Sequence, residues 1–157
     1  MQVNPFEFFV ENARYTYRMF SLIGRQVAGT DIVLEGEAIL KFLGDAKAVV
    51  ILAATLGIEA DRRIASAQAA SISEALSLNT LANEAIEEVC KQAQAEIAAK
   101  YNITAKRFSP GYGDFPLKIQ PQILAALDAQ KRIGLYCNAG NLLIPMKSVT
   151  AFMGVLT

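Results

Sequence analysis

The plainest signal along the chain is a continuous apolar run at residues 48–55 (AVVILAAT), followed by Leu56-Gly57. It is rich in β-branched side chains and never alternates with polar ones, which predicts a strand buried on both faces. A helical period takes over immediately afterwards. Residues 57–67 predict a helix with an exposed charged turn, where Glu59, Asp61, Arg62 and Arg63 are spaced for i,i+3 or i,i+4 surface pairs. Over residues 72–101 an apolar stripe recurs at helical spacing: Leu78, Leu81, Ala82, Ala85, Ile86, Val89, Ala93 and Ile97. Asn83, Glu87, Lys91 and Gln94 fall on the other side, and Ser71 or Ser73 is placed to cap the start. This is the longest element the sequence predicts.

Upstream, residues 6–24 gather aromatic side chains, with Phe9, Ala13, Tyr17 and Phe20 on one helical face and Glu11, Arg14, Arg18 and Arg25 off it. That spacing predicts a core-facing helix. Residues 29–31 read as a loop, and residues 35–43 as a short helix closed by Gly44. Beyond residue 102 the pattern changes. Residues 103–108 alternate as a strand does, and residues 109–114 (SPGYGD) form a tight glycine-rich turn. Pro121 sits where a helix carrying Ile123, Leu124 and Leu127 can begin. Residues 134–137 and 142–144 are short strands around a turn at 138–141, and the uncharged stretch 148–156 is a final strand. The sum is a single α+β domain over residues 1–157 with a small, mainly antiparallel sheet; helices dominate the first two-thirds and short strands the last third.

Composition narrows the chemistry. Lys plus Arg and Asp plus Glu both number 15, so the net charge is zero and the broad basic field of a nucleic-acid binder is missing. The sequence has no His. That excludes Ser-His-Asp and Cys-His nucleophile arrangements, imidazole bases and His-ligated metals. Cys90 and Cys137 are far apart and form no CxxC, which fits two buried, inert thiols in a reducing cytoplasm. The N-terminus does not read as a signal peptide, and the longest strongly apolar stretch, 48–58, is too short to cross a bilayer. The expectation is a soluble cytoplasmic protein without a membrane partner.

One segment breaks its local logic: residues 107–114, RFSPGYGD. Arg107 offers a planar, permanently charged fork that matches a carboxylate. Gly111 and Gly113 allow close backbone approach, and Tyr112 adds a flat face with a polar tip. A hairpin-like turn beside a surface Arg accounts for the same residues, and Arg-x-x-x-Gly-Tyr is weak on its own. Gly111-x-Gly113 lacks the third glycine of a dinucleotide fingerprint. Glu87-Glu88 reads as a solvated helix face, not as paired catalytic acids. Lys147-Ser148 can contact an anion, although a turn leading into a strand explains it equally well.

Taken in order, these motifs resemble the AdoMet-binding reactivation domain of cobalamin-dependent methionine synthase, in particular its short, freestanding bacterial relatives. The resemblance is carried by residues 53–57 (AATLG) leading into 61–64 (DRRI), by 107–114, and by Pro116-Leu117, Gln120, Ile133-Gly134 and 145–151 (PMKSVTA). It spans residues 36–157; residues 1–34, read as a helical segment, lie outside it. The pairing of Arg-x-x-x-Gly-Tyr with a downstream Pro-x-x-Ser-Val is its specific part. The resemblance implies that Arg107, Gly111 and Tyr112 bind S-adenosylmethionine, with Ser109, Pro110, Gly113, Asp114, Lys147 and Ser148 as further AdoMet or corrin contacts. It implies no catalytic side chain and no metal ligand in this chain. The implied task is support of reductive methylation of cob(II)alamin in trans. Cobalamin would be held by a partner's cobalamin-binding module, and a flavodoxin- or ferredoxin-type donor would supply the electron. A non-catalytic interaction module of a corrinoid methyltransferase, without AdoMet binding, is the alternative.

Overall fold

The computed structural model describes residues 4–156; residues 1–3 and Thr157, on which part of the N-terminal reading falls, lie outside it. The chain opens with helix α1, Pro5–Glu11, whose start is capped by Asn4, its Oδ1 accepting from Glu7 N at 2.9 Å. The helix ends at Asn12, and strand β1 follows as Arg14–Ile23. This corrects the expectation of one helix over residues 6–24. Tyr15 and Tyr17 turn to one side of the sheet, while Phe20 and Leu22 join the opposite core. That is a period of two, which the aromatic spacing also satisfies. Pairing with a strand already buried on both faces decides between the two periods, because strand preference is mostly a matter of fit to neighbours.

Strand β2, Gln26–Val27, pairs back on β1, and helix α2 runs Glu37–Leu43 with Gly44 (φ 55°) as its C-cap. Strand β3, Ala48–Thr55, matches the predicted apolar run, and helices α3, Ile58–Ala70, and α4, Ile72–Ala98, match the two helical periods. Ser71 caps α4 by accepting from Glu74 N. A 3-10 turn at Leu117–Ile119 leads into α5, Gln120–Leu127, and α6, Ala129–Ile133. The ribbon β4–β5, Tyr136–Cys137 and Leu143–Ile144, precedes β6, Ser148–Val155.

The main sheet has the order β2-β1-β3-β6, antiparallel throughout, so three of its four strands come from residues 14–55. The placing of strands in the last third is corrected accordingly; the helical period over 6–24 conceals β1. Helices cover both faces. Val49, Ile51 and Ala53 pack with Phe115, Phe152 and the apolar sides of α2, α5 and α6. Val50 and Leu52 meet Ala93, Ile97 and Met153, and Ala54 meets Phe9, Ile64 and Val89. Burying a side chain such as Ile51 or Leu52 completely contributes roughly 1.5–3 kcal/mol, which is why this strand anchors the fold.

The outer edge of β6 carries the segment that bears Arg107. Residues 103–108 do not form the continuous strand expected of them. Ile103 and Phe108, five apart, bridge Val155 and Phe152, three apart, so the segment bulges between its two contacts. Thr104 N donates to Gly154 O at 2.9 Å, and Thr104 Oγ1 accepts from Gly154 N at 3.2 Å, which holds the segment on the edge before the bulge. After it, Phe108 and Phe152 exchange backbone hydrogen bonds of 3.0 and 2.7 Å. A bulge re-aims side chains. Phe108 packs with Phe42 and Phe115, while Arg107 reaches helix α4.

Candidate functional site

Arg107 Nη2 donates to Glu87 Oε2 at 2.8 Å, and Nη1 donates to Gln94 Oε1 at 3.2 Å. Gln94 Nε2 in turn donates to Ala105 O at 2.9 Å, tying the bulge to the helix. The Arg107 side chain is 17% exposed and that of Glu87 55%, so the pair lies at a rim where one partner is mostly covered. A guanidinium has five N–H donors, and these two bonds leave others for a ligand. One helical turn before Glu87, Asn83 Oδ1 accepts from Lys147 Nζ at 2.8 Å. The polar stripe of α4, which the sequence places on the side away from the core, therefore receives two cations of the candidate site.

Between α4, the bulge and β6 lies an open cleft of about 780 Å³, lined by Glu87, Lys91, Gln94, Ala95, Ala98, Ala105, Lys106, Arg107, Ser109 and Val149. Its volume is within the range of small-molecule sites. Arg107 and Ser109 are the predicted residues that it brings together. Glu87 and Gln94 are the ones that sequence reasoning missed. Their seven-residue spacing on one helix face is visible in the sequence, but nothing there says which cation docks on it.

The glycine turn serves mainly to join elements. Gly111 N donates to Phe115 O at 2.7 Å, and Tyr112 O accepts from Phe115 N at 3.2 Å, closing the loop on itself. Gly111 has φ 94°, and a Cβ there would lie 3.0 Å from Leu117 Cδ2. Tyr112 is 71% exposed, with its ring edge-on to Phe108 at 5.4 Å, and Pro110 is buried beneath the turn. Asp114 caps α2: Oδ2 accepts from Glu37 N at 2.7 Å and Oδ1 from Ala38 N at 2.9 Å. These amides of Ala38 and Glu37 hold its carboxyl below the usual Asp range. Gly113 lies against the same helix, 3.0 Å from Ala38 Cβ if it carried a Cβ.

Ser148 Oγ lies between Thr55 Oγ1 (2.7 Å) and Pro145 O (2.6 Å), so it joins β6 to β3 and does not line the cleft. Gln120 is buried, its Oε1 accepting from Thr150 Oγ1 at 2.7 Å. Cys90 is fully buried below the Glu87–Arg107 pair. Burial pushes its thiol up to about 11, with Arg107 pulling the other way, so it is a protonated core side chain at neutral pH. Of the charged turn on α3, Arg62 pairs with Glu59 as expected. Asp61 instead accepts from Met146 N at 3.0 Å, and Arg63 stacks over Phe8 at 3.6 Å. No described helix is long and apolar enough to cross a membrane.

No family model matches the chain, and no curated protein matches it. Among solved structures it is similar to the MetH reactivation domain bound to AdoHcy, with a TM-score of 0.68 and 16% sequence identity. The match covers 91% of this chain and 58% of that one, so the chain spans little more than half of its structural neighbour. At this identity the likeness is one of architecture: this single α+β domain has the fold of the MetH reactivation domain.

Proposed function

We propose that the chain is an accessory AdoMet-binding protein that supports reductive methylation of cob(II)alamin on a B12-dependent methionine synthase or related corrinoid methyltransferase, acting in trans. The observation that carries this reading is the coincidence of two independent signals. The fold matches a reactivation domain over 91% of the chain, and Arg107 and Ser109, from the segment Arg107-x-x-x-Gly111-Tyr112, line the cleft on α4. The residues present fit the amino-acid head of AdoMet. Arg107 retains donors for an α-carboxylate and Ser109 adds a hydroxyl to the same cleft. AdoMet supplies the methyl group when bound; the chain binds it, orients it and holds it near the partner.

Cobalamin belongs to the partner in this reading, since the sequence has no His to ligate cobalt. The partner is a separate corrinoid-carrying module in the cytoplasm, served by a flavodoxin- or ferredoxin-type electron donor. To act as a repair factor the protein must prefer the cob(II) state of that module over the methylated one, because a ligand shifts an equilibrium only by its differential affinity. The test is a mixture of corrinoid methyltransferase, AdoMet, reductant and cob(II)alamin. Methylcobalamin should return in the absorption spectrum when this protein is added, and an equal rate without it contradicts the role.

A second reading rests on one specific observation. Arg107 is already bonded by Glu87 and Gln94, as a purely structural arginine would be. The chain would then be an interaction module that docks on a corrinoid protein and binds no AdoMet.

A further inference from the structure

The Arg107 segment covers one edge of the main sheet, along β6; on the other side β1 is only partly covered. β2 pairs with the last two residues of β1, Leu22 and Ile23, and Ala28 N donates to Ser21 O just before them. The chain then turns toward α5, where Gln122 Nε2 donates to Asp31 O. Backbone direction alternates along a strand, and two bonds fix its phase here. Leu22 N donates to Lys47 O on the β3 side, whereas Ser21 O accepts from the outer side. Even-numbered residues of β1 therefore turn their backbone groups to β3, and Tyr15, Tyr17 and Met19 turn theirs outward. None of these three has a backbone partner among the described residues. An open edge of this kind is a template for another strand.

We propose that this edge is a homodimer interface, in which β1 of a second copy pairs antiparallel with it and the sheet runs on across both copies. Two copies meeting edge to edge about a two-fold axis normal to the sheet have this orientation, and the open window from Tyr15 to Met19 is symmetric about Tyr17. Centred there, Tyr15 opposes Met19 and Tyr17 opposes Tyr17, so every outward N–H and C=O finds a partner. On the other face the exposed Arg18 opposes Thr16, and the exposed Arg14 opposes Phe20. A shift of the centre by one residue sets Arg18 against Arg14 or against itself, which like charges disfavour. A shift by two runs the strand into β2 at one end or α1 at the other. The arginines thus select one register. On the α4 side each copy brings one acid and one base to its tyrosines, Glu96 bonded to Tyr15 and Lys100 over Tyr17, and a chain of zero net charge does not repel its copy. This inference stands apart from the AdoMet reading.

The test is sedimentation velocity over a dilution series reaching millimolar protein, with amide hydrogen exchange at both ends of the series. The expected result is a dilution-sensitive dimer in which the amides of Tyr15, Tyr17 and Met19 gain protection with concentration, while those of Thr16 and Arg18, already paired with β3, do not change. Met19→Pro removes an outward N–H at an exposed position and should abolish the dimer while thermal melts show a folded monomer. Thr16→Arg sets a like charge against Arg18 twice per dimer and should weaken association by roughly two- to tenfold, and Thr16→Asp should strengthen it by a similar factor. The Thr16 variants decide the matter alone if Met19→Pro does not fold. A monomer at every concentration overturns the proposal and leaves the edge to an extended segment of another protein. A dimer whose Tyr15, Tyr17 and Met19 amides stay unprotected overturns it too, since another surface would hold the copies together. So does a dimer that Thr16→Arg leaves unchanged, because its register would be a different one.

Discussion

Asp114 shows how a residue singled out for one role takes up another. As the last residue of a glycine turn it is expected to be a ligand contact. In the fold its two oxygens cap α2 from 77 residues away, where the N-cap position is Gly36 and offers no side chain. Gly36 has φ 103°, and a Cβ there would lie 2.6 Å from Asp114 O, so the carboxylate sits where only glycine leaves room. Asp114→Ala should lower the melting temperature and speed amide exchange at Glu37 and Ala38. In a Gly36→Ala background the same substitution should cost less than it does alone, which a double-mutant cycle reads directly. The pH signature comes from the depressed carboxyl pKa. The contribution is complete above the ordinary Asp value of about 3.9 and is lost as pH falls through the lower folded value. Protection at Ala38 and Glu37 should therefore fade on acidification in the wild-type protein and show no such step in Asp114→Ala.

Among the elements, those with unambiguous periods were legible. β3 and α4 are found where their apolar patterns put them, because a doubly buried strand and a long amphipathic helix each have one solution. β1 was not, since Tyr17 and Phe20 fit one helical face, whereas Tyr15 with Tyr17 and Phe20 with Leu22 fit the two faces of a strand, and only pairing with β3 decides. The 103–108 segment failed differently: its alternation was real, but two extra residues bulge out to aim Arg107 at α4. Bulges leave no mark on a hydrophobic pattern. Thr104 offers a test of how this edge is held. Its hydroxyl accepts from Gly154 N, so Thr104→Val keeps the shape and orphans that amide. The expected cost is about 1–3 kcal/mol in denaturant unfolding, with Thr104→Ser close to wild type. Equal stabilities for all three proteins would mean that the segment is held by its backbone bonds alone.

For the whole molecule, the fold class was accessible from the sequence, while the residues that meet Arg107 were not. Arg107 could be singled out because it precedes a glycine turn and matches the Arg-x-x-x-Gly-Tyr element of the family the sequence resembles. That Glu87 and Gln94 would meet it depends on how α4 lies across the sheet, which no local pattern encodes. Cys90 reports on that packing. Fully buried and with its thiol pushed up to about 11, it should resist alkylation at pH 8 in the native protein and react only as the domain opens, while half-buried Cys137 reacts first. Mass-resolved labelling across a denaturant series checks this; early labelling of Cys90 would mean that α4 separates from the sheet before global unfolding.

The proposed function requires that a fold shared with a reactivation domain holds a working AdoMet site anchored by Arg107. Its most direct test is calorimetry of AdoMet against the wild-type protein and Arg107→Ala, with thermal melts confirming that both are folded. A charge-assisted pair of this kind contributes on the order of 1.5–3 kcal/mol, so the expected result is measurable binding by the wild type and at least about a tenfold loss in Arg107→Ala. No heat from the wild-type protein, or equal affinities for the two folded proteins, would contradict it.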